Sequence, residues 1–160
     1  MIEKLFPEQF DNTFRGQKAG LWIFGLLLLM KITMGVNSTF NAATVATRAD
    51  GIPLASYPAA AAGTIIAEFA LLGVANLALC LVGVMALVRY RSMVPALFAL
   101  LLVEFLARRV LLQLLPIARA GSPPGGYVNL VLFALMCAGL VLSLIAPGHR
   151  ERNAVPLAIT

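Results

Sequence analysis

"LLVEFLARRVLLQLL", residues 101–115, is the stretch on which the reading of this chain turns. It is apolar enough to lie in a lipid bilayer, yet it holds Glu104, Arg108 and Arg109 within two helical turns. Its surroundings say which environment those charges must tolerate. The 160-residue chain is 61% hydrophobic and 12% charged, against about 25% charged in ordinary soluble domains. That composition belongs to membrane proteins. The formal net charge of +5 does not point to nucleic acid, because the basic residues gather at the ends of apolar runs, where they anchor topology.

A hydrocarbon core about 30 Å thick needs about 20 apolar residues per helical span. Four runs meet that length: residues 20–40, 59–88, 93–115 and 127–146. Pro116, the Pro123-Pro124-Gly125-Gly126 stretch and Pro147 punctuate their ends, where helix-breaking residues belong. The first run is too long for a signal-peptide core and has no small-residue cleavage site. Ahead of it, Phe6, Phe10 and Phe14 recur every four residues among charges, which predicts a short interfacial helix lying on the membrane. The expected fold is therefore an all-α integral membrane four-helix bundle. Residues 1–19 form an amphipathic interfacial segment, 20–147 the transmembrane domain and 148–160 a cytoplasmic tail. Lys4, Arg15, Lys18, Arg89, Arg91, Arg150 and Arg152 fall on one side of such a bundle, and only Arg48 and Arg119 on the other. Positive residues mark the cytoplasmic face, so both termini are expected in the cytoplasm and the protein in the inner (plasma) membrane. Trp22, Tyr57 and Tyr127 lie near span ends and suit the interfacial aromatic belt.

Five ionisable residues remain inside the spans: Lys31, Glu68, Glu104, Arg108 and Arg109. At about 1.5 Å per residue, Lys31, Glu68 and Glu104 share the middle layer although they come from three helices. Each charge costs about 2.5–3.5 kcal/mol at a helix centre, so they are expected to face one another. Glu104 and Arg108, four residues apart, can pair directly, whereas Arg109 points about 140° away from Glu104. Glu68 is then left to meet Lys31 or Arg109. Three cations face two carboxylates in this network. Asn37, in the outer part of span one, and Asn76, expected on the Glu68 face of span two, add polar groups to it. Gly35, Gly73, Cys80 and Gly83 read as a small-residue packing stripe, and Cys80 and Cys137 as packing residues rather than a redox pair.

Catalytic constellations are poor. The single histidine, His149, rules out a bis-histidine haem site and a multi-histidine metal site within one chain. No phosphate-binding glycine loop or dinucleotide fingerprint is present, and a Ser or Cys nucleophile has no histidine base within the spans.

"GLWIFGLLLLMK" (residues 20–31), the "GIP" loop (51–53) and "AEFALLGVANLALCLVGVMALVRYRSM" (67–93) together resemble the DoxX-like small four-helix membrane proteins. That family includes membrane subunits associated with quinone-linked oxidation. The resemblance implies Glu68 as a functional residue and nothing further about a reaction.

The residues favour a protein that binds, and in one version moves, a small anionic or polar lipophilic ligand at the charged network. The leftover positive charge motivates this: a lipid headgroup, a carboxylate or a quinone oxygen would complete it. Membrane lipid is the expected partner and nucleic acid is not; no cofactor is evident apart from the quinone or lipid so implied. The alternatives are a non-catalytic subunit or assembly factor of a larger membrane complex or homo-oligomer, and a quinone-linked redox subunit.

Overall fold

The computed structural model describes Leu5 and residues 9–145. Among these the protein is all-α, with five α-helices: α1 (Lys18–Phe40), α2 (Ala42–Thr44), α3 (Ala59–Arg89), α4 (Val94–Leu114) and α5 (Gly125–Leu144). The four long ones start and end within two residues of the apolar runs. Prolines set several of these limits: Pro58 and Pro124 immediately precede α3 and α5, and Pro95 occupies the first turn of α4, where its missing N–H costs nothing. Helices α1, α3 and α5 are each long and apolar enough to cross a membrane, as in a multi-pass membrane protein. Helix α4, at 21 residues, is of similar length but carries the three charges of the opening stretch.

The long helices alternate in direction. At the proximal end lie the starts of α1 and α4 and the ends of α3 and α5, tied together by residues 9–17. The Asp11 N–H donates to Ser92 Oγ (3.0 Å), and Ser92 returns its hydroxyl (2.9 Å) and its own N–H (3.3 Å) to the Asp11 carbonyl. The Gln17 N–H donates to the Leu142 carbonyl at 3.0 Å. Residues 9–17 are thus a non-helical strap, which corrects the interfacial-helix expectation for that part; most of residues 1–8 lie outside the described residues. Helical periodicity fails here because Asp11 turns the chain locally. Its carboxylate accepts the Thr13 N–H and hydroxyl, and the hydroxyl bond holds the Asp11 carboxyl below its ordinary range. Gly16 then packs so closely on Ser143 that no Cβ would fit. Of the phenylalanines read as one face, Phe14 packs on the core and Phe10 is exposed.

At the distal end the α1–α3 connection folds back on the helix ends. A widened turn brings the Asp50 N–H to the Val45 carbonyl at 3.1 Å. Gly51 adopts φ +72°, which favours glycine, and its carbonyl accepts the Ala120 N–H at 2.7 Å, linking the α1–α3 loop to the α4–α5 loop.

The core lies in the proximal half. It joins Phe24, Leu27 and Leu28 of α1 to Val94, Leu97, Phe98 and Leu101 of α4 and to Leu132 and Met136 of α5. Phe24 and Phe98 meet edge to face, ring centroids 5.1 Å apart, a geometry contributing about 0.5–1.5 kcal/mol beyond area burial. Phe98 lies directly against Gly139, where any side chain would collide with the ring. In a bilayer the lipid tails are as apolar as leucine, so such close fits, rather than escape from water, hold helices together. The same logic explains the α1–α3 contact. A Cβ on Gly73 would lie 2.6 Å from the Thr39 nitrogen and 2.9 Å from the Gly35 carbonyl oxygen, and one on Gly83 would lie 2.5 Å from Leu28 Cδ2. The small-residue stripe of α3 is spent within the fold, as a packing stripe should be, and Cys80 is buried in it as a free thiol.

Candidate functional site

Helix α4 changes character along its length. Its buried residues are Val94, Pro95, Leu97, Phe98 and Leu101, and nothing beyond Leu101 is buried. One side of its distal half leans on α5, where Phe105 and Phe133 stack at 5.1 Å. The face that continues Leu97 and Leu101 carries Glu104 and Arg108, toward α1 and α3. Contact between α3 and α4 is sparse. Phe24, Leu28, Lys31, Cys80, Gly83, Leu97 and Leu101 surround a small void between α1, α3 and α4. Distal to it, α3 shows Leu72 and Glu68 exposed and α4 shows Arg108 and Leu111 exposed. Between α3 and α4, then, the lined void gives way distally to exposed side chains on both helices.

The charged cluster sits where that change begins, Lys31 lining the void itself. Glu104 Oε2 takes Lys31 Nζ at 3.3 Å, and Glu104 Oε1 takes Arg108 Nη2 at 2.5 Å. One carboxylate, a third exposed, thus serves two cations. Lys31 is 12% exposed and Arg108 60%. Lys31 lies about 20 Å along α1 and Glu104 about 15 Å along α4 from their proximal ends, at the middle of the helical layer. Asn76 secures this level from α3: its amide donates to the Lys31 carbonyl at 2.7 Å, fixing the helix turn that presents the lysine.

Of the residues expected in the network, Lys31, Glu104, Arg108 and Asn76 come together. The Glu104–Arg108 pair is as expected. Lys31 pairs with Glu104 rather than with Glu68, which is exposed and makes no ion pair among the described residues. Glu68 does not share the face of Asn76: eight residues turn a helix through two turns and about 80° more. Arg109 is exposed and likewise makes no ion pair among the described residues. Asn37 donates to the Thr33 carbonyl of its own helix at 3.0 Å and accepts from the Asn41 amide at 3.3 Å, so it stands outside the cluster.

Two further ionisable residues belong to this face and were not expected there. Asp50, in the distal loop, senses the charges of both Arg119 and Arg108. Burial pushes its carboxyl up from the ordinary value, and the two arginines pull it back. A Cβ on Gly125, the first residue of α5, would lie 3.1 Å from the Asp50 carboxylate. Positive and negative groups therefore alternate outward from Lys31 through Glu104, Arg108 and Asp50 to Arg119. The only signal in the sequence was an acid before Gly51 in a loop facing a second loop with a lone arginine.

No group of three or more His, Cys, Asp or Glu side chains among the described residues could hold a metal ion. The chain matches no family model, no curated protein and no solved structure. What fold and site together define is a class: a multi-pass helical membrane protein with a shared-carboxylate ion cluster inside its helical layer.

Proposed function

We propose that the chain is a four-helix inner-membrane protein, both termini cytoplasmic, that binds a small anionic or polar lipophilic ligand in a groove between α3 and α4 beside Arg108. One observation carries this reading: Glu104 is divided between Lys31 and Arg108, leaving one positive charge in excess among the three, with the Arg108 side chain 60% exposed. An arginine stays charged under all ordinary conditions, and a cation held in low dielectric seeks a counter-charge. Arg108 is the residue that meets the ligand, Glu104 holds its guanidinium in place, and Lys31 balances Glu104 from behind. A carboxylate, a phosphate-bearing headgroup or a quinone oxygen all present the acceptor atoms a guanidinium recognises. Arg109 plays no part. The alternative of a packing subunit loses its main motive, because the small-residue stripe on α3 is already occupied by α1.

Decanoate, an anionic lipophilic probe, tests the reading. It should raise the melting temperature of the detergent-solubilised protein more than decanol does. Arg108→Leu should abolish that difference and Arg109→Leu should preserve it. Equal effects of the two probes on wild type would sink the proposal.

The orientation rests on basic residues at the proximal end, Arg15, Lys18, Arg89 and Arg91 among the described ones, against Arg48 and Arg119 at the distal end. Single cysteines at exposed Ser56 and Ser122, in a background lacking Cys80 and Cys137, should label from outside intact cells. One at exposed Asn12 should not, and its labelling would reverse the topology. Ser92 is unsuitable because it is buried against Asp11.

A further inference from the structure

A second cavity, remote from the charged cluster, lies at the proximal end, and its volume is about 570 Å³. Three separate parts of the chain line it. Lys18, Leu21, Trp22 and Gly25 come from α1, Leu87 and Arg91 from the end of α3 and the turn after it, and the strap closes it with Asn12 and Phe14. Its polarity is graded with depth. Lys18 is the first residue of α1 and Arg91 lies just beyond the end of α3, so both cations sit at the rim. Gly25 is seven residues further along α1, about 10 Å deeper, and there the walls are Leu21, Gly25 and Leu87. Arg91 is held at the rim because its Nε donates to the Leu87 carbonyl at 3.1 Å.

Because α1 and α3 are long and apolar enough to span a bilayer, the ends of these helices mark the headgroup level. A cavity that begins there between two cations and runs about 10 Å into an apolar slot has the form of one molecule: a phosphate headgroup followed by the first carbons of an acyl chain. We infer that this cavity binds an anionic phospholipid, the phosphate between Lys18 and Arg91 and an acyl chain along Leu21, Gly25 and Leu87. The volume falls in the range of about 300–1,000 Å³ found for ligand pockets. In the topology proposed above the rim faces the cytoplasmic leaflet, where anionic lipids attract basic residues. Because the strap forms one wall, the bound lipid would also bear on residues 9–17 and, through the Asp11–Ser92 bonds, on the α3–α4 turn.

Trp22 is the only tryptophan in the chain and lines the cavity; being 81% exposed, it reports lipid in the cavity above a background of surrounding lipid that the two headgroups share. Protein in nonionic detergent is titrated with phosphatidylglycerol or phosphatidylcholine carrying dibrominated acyl chains, which quench tryptophan on contact. Wild type should reach half-quenching at a lower mole fraction of phosphatidylglycerol, by about five-fold for each basic residue engaged. Lys18→Gln combined with Arg91→Gln should bring the two lipids level. Gly25→Leu fills the slot at a position whose Cβ would make only an ordinary 3.7 Å contact with Leu87; it should weaken quenching by both lipids with the charges intact. Arg108→Leu should leave the preference unchanged, so failure of the groove reading and failure of this one are distinguishable. Sodium phosphate, at the lipid's own concentration, should not erase the preference; if it does, the cavity takes free phosphate and the lipid inference fails. Equal quenching of wild type by the two lipids would overturn it. So would a full preference in the double variant, or undiminished quenching of Gly25→Leu by phosphatidylglycerol, with helical circular dichroism retained.

Discussion

In the proximal half, Phe24, Leu27, Phe98 and Met136 are at most 2% exposed, whereas Leu111 and Leu114, further along the same α4, are 56% and 71% exposed. The two halves are held by different forces. The proximal one is closed by shape: rings on glycines, a strap hydrogen-bonded across the helix ends, and hardly a charge within. The distal one keeps its α1–α3 seam but lets α4 lean away on α5, and what spans the opening is electrostatic. Shape complementarity in a bilayer tolerates little rearrangement, since the contacts at Gly16 and Gly139 exclude even a methyl group. A shared carboxylate does tolerate it, because a cation that loses Glu104 can take another acceptor. The half that closes by packing makes the scaffold and opens only at the cavity on its rim; the half that closes by charge is where something else can enter between the helices.

The largest effect expected from this contrast is at the seam. Gly73→Leu would push a side chain into the backbone of Thr39 and Gly35, atoms that cannot swing aside. Overpacking costs typically about 1–3 kcal/mol and more when backbone must move, so the variant should melt far below wild type in detergent. Gly63→Leu, on the same helix with nothing within 4 Å, should melt within a degree or two of it. Similar melting of the two would mean that the seam is not held by close approach.

Next comes the shared carboxylate. Glu104→Gln leaves Lys31 nearly buried without its counter-charge. Fully buried pairs lose about 3–5 kcal/mol when one partner is removed and exposed pairs about 0–1. A carboxylate one-third exposed lies between, at about 2 kcal/mol. Combining it with Lys31→Gln should cost less than the sum of the single changes, and strict additivity would show that the two residues do not interact. Arg108→Gln should cost less than Glu104→Gln, because it leaves Glu104 its Lys31 partner and strands no buried charge. That ranking, Glu104 well above Arg108, separates a structural pair from a ligand-facing arm; the reverse order would make Arg108 the structural partner and undo the assignment of roles.

What could be read from the sequence follows the same division. Helix limits were legible to within two residues, because apolar length and proline placement are local properties. The Glu104–Arg108 pair was legible because a spacing of four within one helix fixes an angle. Lys31 meeting Glu104 was not, since the choice of partner depends on how α1 and α4 rotate about their own axes, which no spacing within one helix records. Asn76 was placed in the right layer, but through the wrong neighbour, by treating eight residues as a whole number of turns. The strap was read as a helix because Phe6, Phe10 and Phe14 keep helical spacing; the Asp11–Thr13 turn and Gly16 outweigh that pattern. Asp50 was missed because its partners come from other helices and loops. His149 and the rest of the tail lie outside the described residues.

The smallest expected effect tests whether the distal half is electrostatic all the way to the loop. Asp50 has its carboxyl raised above the ordinary value of 3.8, burial outweighing the pull of Arg119 and Arg108. A raised carboxyl pKa in the folded state means that the folded protein takes up its proton before the unfolded chain does. Folding then gains as pH falls through the folded value, and the gain is complete below the unfolded one. At neutral pH the ionised carboxylate is carried at a cost. Asp50→Asn removes that titration while keeping a similar shape. The melting temperature of wild type minus that of Asp50→Asn should therefore rise as pH is lowered from 7.5 toward 4.5, by a few degrees at most. Other carboxylates titrate in both proteins, so the difference isolates Asp50. A difference that falls with pH would show that the arginines dominate, with Asp50 a working ion-pair partner of Arg108. The alternation from Lys31 to Arg119 would then be a continuous salt-bridged chain, and the groove would be closed at its mouth until something displaced Asp50.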